Sequence, residues 1–124
     1  MMVKVMQGMG RKLWDAGLPV LDDLHNTSYD WKLPDGSQQS DKALQRYKTE
    51  KYTEALRSLK PGVTMMIMHC TSPTEVFSYI SDSGPTRKGD MLAMTDPLFR
   101  KALEEEKIIL TTWRELKERR MRQR

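Results

Sequence analysis

The stretch Leu59-Lys60-Pro61-Gly62-Val63-Thr64-Met65-Met66-Ile67-Met68-His69-Cys70 constrains the fold of this chain more than any other. Pro61 lacks the N–H that a helix ladder needs, and Gly62 readily adopts the reversed conformation of a helix C-cap, so whatever precedes them stops there. From Val63 to Met68 the chain has no polar residue after Thr64 and no alternation, which is how a strand covered on both faces of a parallel sheet reads. His69 then stands at the C-terminal end of the strand, the end at which α/β folds collect binding and catalytic groups. The plainer alternative is a histidine that ends a strand and bonds a neighbouring carbonyl.

Taken in order, the chain alternates helical and apolar stretches. Residues 2–15 read as a helix, with Val5, Met6, Met9 and Leu13 at three- and four-residue spacing and Gly17 as its stop. Leu18-Pro19-Val20-Leu21 reads as a short strand that empties into the polar cluster Asp22-Asp23-Leu24-His25-Asn26-Thr27-Ser28. Tyr29 to Gln39 is a loop, turned by Leu33-Pro34-Asp35-Gly36-Ser37. Ser40 or Asp41 caps the next helix, whose buried stripe is Ala43, Leu44, Tyr47, Tyr52, Ala55, Leu56 and Leu59. Ser72 and Glu75 form a capping box ahead of Val76, Phe77, Tyr79 and Ile80. Ser81 to Asp90 is polar and turn-rich, a loop long enough to reach over a site. Asp96-Pro97 opens a helix through Glu106, Ile108-Ile109-Leu110-Thr111-Thr112 is a third strand, and Trp113 to about Arg120 is the last helix.

The three strands, near positions 20, 65 and 110, each follow a helix, which predicts an α/β fold with parallel strands joined by crossover helices. Parallel strands deliver Asp22, Asp23 and His25, then His69, then Thr111 and Thr112 to one sheet edge. Three strands cannot close a barrel, and an eight-stranded one needs roughly 250 residues. With 124 residues, either the sheet is small and open or half of the domain is missing.

Charge and cysteine usage narrow the function classes. The formal net charge of +4 gathers in the arginine-rich end beyond Arg114, where cations meet the negative end of a helix. No aromatic platform interleaves these arginines, so nucleic-acid binding is not expected, and residues 118–124 read as a solvated basic tail behind a domain of residues 1–117. Cys70 is the only cysteine, which excludes an intrachain disulfide and a four-cysteine zinc site and points to a reducing compartment. No apolar stretch approaches the roughly 20 residues of a membrane span, and the N-terminus lacks the apolar core of a signal peptide. A cytoplasmic protein with no membrane partner is the expectation.

Pro61-Gly62-Val63-Thr64, the strand ending in His69, Arg87-Lys88-Gly89-Asp90-Met91-Leu92, Asp96-Pro97, and Ile108-Ile109-Leu110 leading to Trp113 and Leu116 together resemble the C-terminal part of the YdjC-like carbohydrate deacetylases, the family that includes chitooligosaccharide deacetylases. Gly17-Leu18-Pro19-Val20-Leu21-Asp22 is similar to a further segment of that family. The resemblance implies the C-terminal part of an irregular (β/α) barrel. It also implies metal-dependent hydrolysis of N-acetyl groups on a sugar or oligosaccharide, with magnesium or zinc as cofactor. The family's metal ligands lie in an N-terminal half with an Ala-Asp-Asp-Phe-Gly motif that this sequence lacks, so the chain alone is expected to be inactive. Asp22-Asp23-Leu24-His25 imitates the acidic pair without the Phe-Gly, and His69 is followed by Cys70 where the family has proline.

Amide hydrolysis at neutral pH needs an activated water, stabilisation of the carbonyl oxygen and an acid for the departing amine. By resemblance His69 is that acid or part of its network, and Arg87 stabilises developing charge while Asp90 holds it in place. Asp22 and His25 are then substrate-binding candidates. Arg87 and Asp90 read equally well as a surface ion pair. An Asp22 or Asp23, His25 and His69 metal set, and Cys70 as a nucleophile beside His69, are the weaker alternatives. The rival functional reading is a non-catalytic assembly or binding module derived from the same fold, pairing with another chain through an exposed sheet edge as a homo-oligomer or a hetero-complex.

Overall fold

The computed structural model describes residues 2–34, 36, 37 and 39–123, with side chains from Gln7 onward. Its elements in chain order are α1 (Met2–Asp15), β1 (Asp23–His25), a 3-10 turn (Ser28–Asp30), α2 (Asp41–Ser58), β2 (Thr64–Met66), a 3-10 helix (Glu75–Tyr79), α3 (Gly84–Met94), α4 (Pro97–Glu105) and α5 (Trp113–Arg122). They divide into two units, one made of residues 23–108 and one of residues 1–22 with 109–124.

In the continuous unit, α2 is built as its sequence dictates. The Ser40 hydroxyl accepts from the Ala43 amide at 3.2 Å and satisfies one of the helix's open first-turn donors. Leu44, Lys48, Tyr52, Ala55 and Leu56 recur at the period of a helix and form its buried face. Tyr52 and Leu56 meet Ala93 of α3 and Phe99 and Ala102 of α4 in the core, with Trp31, Met66 and Ile108 packed against it. Aromatic edges organise this core: Tyr52 sits edge-on to Trp31 at 4.9 Å and to Phe99 at 5.9 Å.

The sheet is smaller than the apolar runs suggest. Among the described residues β1 and β2 are its only strands, parallel, with Asp23 opposite Thr64, Leu24 opposite Met65 and His25 opposite Met66. Two strands joined through α2 make one open βαβ step. The expected C-terminal part of a (β/α) barrel, with about three parallel strands, is therefore corrected to a small open α/β fold.

Four local differences separate the structure from the pattern of the sequence. The first strand forms at Asp23–His25, beyond Leu18-Pro19-Val20-Leu21, where the amide of Asp23 reaches the Val63 carbonyl at 3.2 Å. The third strand does not form. Lys107 adopts a left-handed φ of 54° that turns the Ile108 amide back onto the Leu103 carbonyl, and Thr111 and Thr112 commit their side chains to the start of α5. Ser81 to Asp90, read as a loop, contains most of α3: Pro85 suits a first helical turn, and Gly89 lets the α3 backbone press against Lys48 of α2. At the proposed Ser72–Glu75 capping box a 3-10 helix begins instead, its N-cap Thr74 making no side-chain bond.

In the other unit, Thr112 and Glu115 form a reciprocal capping box at the start of α5. The Thr111 hydroxyl, then the Thr112 amide, hold the Glu115 carboxyl below its usual pKa range. Helix α5 runs on through residues 118–122, and Arg120 lies 4.0 Å from the centre of the Trp14 ring while donating to the Trp14 carbonyl. Val5 and Met6, proposed as part of the α1 stripe, fall outside the described side chains, as Asp35 falls outside the described residues.

Candidate functional site

A lysine in the middle of an apolar stripe starts the site. Lys48 and Asp90 are each 1% exposed, and the Lys48 ammonium donates to Asp90 Oδ1 at 2.9 Å and to the Ser28 carbonyl at 2.9 Å. Burial of two charges is tolerated only with such pairing and extra hydrogen bonds. The second Asp90 oxygen accepts from the His69 amide at 3.0 Å, and the Ser28 hydroxyl donates to the Ile67 carbonyl at 2.6 Å. The Thr71 amide donates to the Arg87 carbonyl at 3.3 Å. The segment leaving β2 is thereby fixed from beneath at Ile67, His69 and Thr71.

On this support stands a more exposed layer. The His69 imidazole meets the Tyr29 ring edge-on at 5.3 Å. The Arg87 guanidinium lies 5.8 Å from the Tyr29 ring centre and 5.9 Å from that of Phe77, and its Nε donates to Ser83 Oγ at 2.8 Å. Ser83 is bonded in turn to the Ser81 hydroxyl at 2.7 Å. Hydrogen bonding from Ser83, then from Arg87, pulls the Tyr29 hydroxyl below its ordinary pKa of 10.0. Cys70 is exposed, yet partial desolvation and then the Asp90 charge raise its pKa, so the thiol form is favoured.

The structure thus brings His69 and Arg87 to one tyrosine ring. Asp90 is bonded to Lys48 and His69, where the sequence reading had it hold Arg87. His25 ends β1 at 5.7 Å from the Trp31 ring, with a buried Nδ1 that makes no hydrogen bond. Asp22 belongs to the other unit. Sequence reasoning missed Lys48, Ser28, Tyr29 and Ser83. For Lys48 a signal existed, since it lies four residues from both Leu44 and Tyr52, at the centre of the stripe it interrupts.

Among the described residues no group of three or more His, Cys, Asp or Glu side chains is placed to hold a metal ion, which corrects the expected magnesium or zinc. No helix among them is long and apolar enough to cross a membrane. No family model, no curated protein and no solved structure matches the chain. With an open pair of strands in place of a barrel, no metal cluster among the described residues and no family match, the deacetylase resemblance is overturned. The metal-dependent amide hydrolysis drawn from it falls with it.

Proposed function

We propose that this protein binds a small anionic ligand, bearing a carboxylate or a phosphate, at the edge of the sheet where β1 and β2 end. The observation that carries this reading is Arg87. Its guanidinium is half-buried beside two aromatic rings and steered through Nε by Ser83, yet among the described residues it pairs with no carboxylate. A planar cation held in this way presents its remaining N–H groups in a fixed fork, which matches the oxygens of a carboxylate or phosphate. The Tyr29 hydroxyl and the His69 imidazole flank the same position and add hydrogen-bonding capacity. Nothing in this role requires bond cleavage, so the reading is a binding module. An exposed, lone Cys70 fits a reducing, cytoplasmic setting for it.

Titration calorimetry with inorganic phosphate, citrate and neutral N-acetylglucosamine tests the reading. Binding of an anion but not of the sugar, lost in Arg87→Met and weakened in Arg87→Lys while the circular dichroism spectrum is unchanged, is the expected result. Equal anion affinity in the wild type and Arg87→Met, or no heat with either anion at millimolar concentration, overturns it.

A further inference from the structure

The chain's charge is divided between its two units. Residues 1–22 and 109–124 hold nine Lys or Arg against four Asp or Glu, whereas residues 23–108 hold twelve against thirteen. The whole net positive charge therefore belongs to the unit that contains α5.

The other unit carries a groove that suits such a charge. A depression of about 660 Å³ runs between α2, α3 and the 3-10 helix Glu75–Tyr79. Leu44, Pro73, Phe77 and Pro85 give it an apolar lining, and the exposed Glu75 and Asp82 line it as well. Its one cation, Lys88, is already bonded to Asp41 at 2.8 Å, whereas neither Glu75 nor Asp82 pairs with a cation among the described residues. Beside the groove Val76, Tyr79 and Ile80 are 63%, 91% and 73% exposed, an apolar cluster of the kind that marks an interaction surface.

Helix α5 presents the complementary surface. Trp113, Lys117 and Met121 recur every four residues, and Arg114 lies three before Lys117, so the four share one face. Trp113 and Met121 are 49% and 53% exposed, and Arg114 and Lys117 are exposed as well. Arg120, seven residues beyond Trp113 and so next to it on the helix surface, is already engaged with Trp14. An aromatic and a thioether side chain suit an apolar lining, and two cations suit two unpaired carboxylates.

We infer that the Trp113–Arg114–Lys117–Met121 face of α5 in one copy docks into the Glu75–Asp82 groove of a second copy. The contact joins two different surfaces, so two copies exchange helices reciprocally or continue head to tail. The exposed ion pairs supply orientation and salt sensitivity, and the apolar contacts supply most of the affinity.

Sedimentation velocity on the full chain, across protein concentration and at low and high salt, reads the contact. Self-association that weakens on the order of tenfold when salt shortens the screening length to about 3 Å is the expected result. Glu75→Lys/Asp82→Lys and Arg114→Glu/Lys117→Glu are each expected to sediment as monomers, whereas an equal mixture of the two is expected to associate, because α5 of each variant meets a groove of opposite charge in the other. Combining all four reversals in one chain restores association, because each cation again meets a carboxylate; a merely structural defect is not repaired in this way. A wild type that stays monomeric to about 1 mM, where even weak association of about 4 kcal/mol would register, overturns the inference. So does self-association that salt leaves unchanged, or a four-fold reversal that stays monomeric while retaining the wild-type circular dichroism spectrum.

Discussion

The Lys48 ammonium and the Asp90 carboxylate meet at 2.9 Å with both side chains 1% exposed, which joins α2 to α3 by an ion pair sealed from solvent. The pair's worth shows when it is broken. Lys48→Met leaves Asp90 buried without its counter-charge and is expected to cost about 3–5 kcal/mol in urea unfolding. Lys48→Met/Asp90→Asn removes the orphan charge and keeps an acceptor for the His69 amide. It should recover at least half of the loss, yet remain about 1–3 kcal/mol below wild type because the Ser28 carbonyl has no donor. A double variant no more stable than the single one refutes this account.

Tyr52 is fully buried and its hydroxyl makes no hydrogen bond. Burial is the main cause that raises its pKa above the ordinary 10.0, because the phenolate cannot be solvated there. A folded-state pKa above the unfolded one stabilises the fold fully below pH 10, and that contribution is lost as pH rises from there through the folded value. Tyr52→Phe removes both the alkaline titration and an unpaired hydroxyl. It is expected to match or exceed wild-type stability by up to about 1 kcal/mol at neutral pH and to unfold at higher pH in an alkaline series. A loss greater than about 2 kcal/mol at neutral pH would show that the hydroxyl has a partner.

Tyr29 titrates in the opposite direction. Its depressed pKa means that the phenolate is favoured in the folded state, a contribution present above the unfolded value and lost as pH falls through the folded one. The difference in absorbance titration between wild type and Tyr29→Phe isolates this hydroxyl and should show a midpoint below 10.0. Ser83→Ala should move that midpoint up by more than Arg87→Met does, since the serine hydrogen bond is the larger cause.

At Gly89 two effects compete. Alanine is the better helix former by about 1 kcal/mol, but a Cβ here would lie 2.8 Å from Lys48 Cγ. The Lys48 stem cannot retreat, because its ammonium is held by Asp90 and Ser28. Overpacking wins, and Gly89→Ala is expected to lose about 1–3 kcal/mol in thermal or urea unfolding. In the Lys48→Met background the penalty should shrink, since the longer side chain and its anchor are gone.

Asp96 serves two elements, accepting from the Leu98 amide at 2.9 Å as the cap of α4 and from the buried Thr49 hydroxyl at 2.7 Å. Asp96→Ala is expected to cost about 2–4 kcal/mol, combining a lost cap with an orphaned hydroxyl. Asp96→Asn keeps a carbonyl oxygen to accept from the Leu98 amide and sets an NH2 donor beside the Thr49 hydroxyl, which can accept from it, and should cost less than half as much in the same unfolding assay.

Local signals carried the helices whose rules are short-range. Ser40 at a cap, a stripe ending at Leu59 and Pro61-Gly62 beyond it announce α2, and Asp96-Pro97 announces α4, because capping and proline geometry are decided within one turn. The sheet was not legible in this way. Val63 to Met68 and Ile108 to Thr112 have strand composition, but whether a strand pairs depends on a neighbour far along the chain, and a left-handed Lys107 ahead of two capping threonines diverts the second run. Helix α3 was hidden because Gly84 and Gly89 look like turn punctuation, whereas Gly89 answers to the close approach of Lys48, forty-one residues away in sequence. At the site, His69 drew notice by its chemistry and its place after an apolar run, whereas Arg87 entered only through the family resemblance that the structure overturns. Their supports drew no notice, since a lysine in an apolar stripe declares its partner only in three dimensions.

The stacking of Arg120 on Trp14 also bears on how the chain is made. The two residues stand 106 positions apart, so during synthesis α1 emerges long before the arginine that covers it. At about 5–20 residues per second the interval is roughly 5–20 s, ample for the continuous stretch from Asp23 to Ile108 to collapse on its own. Helix α1 therefore finds its place only after a long wait, and Trp14 is a natural reporter of when Arg120 has emerged.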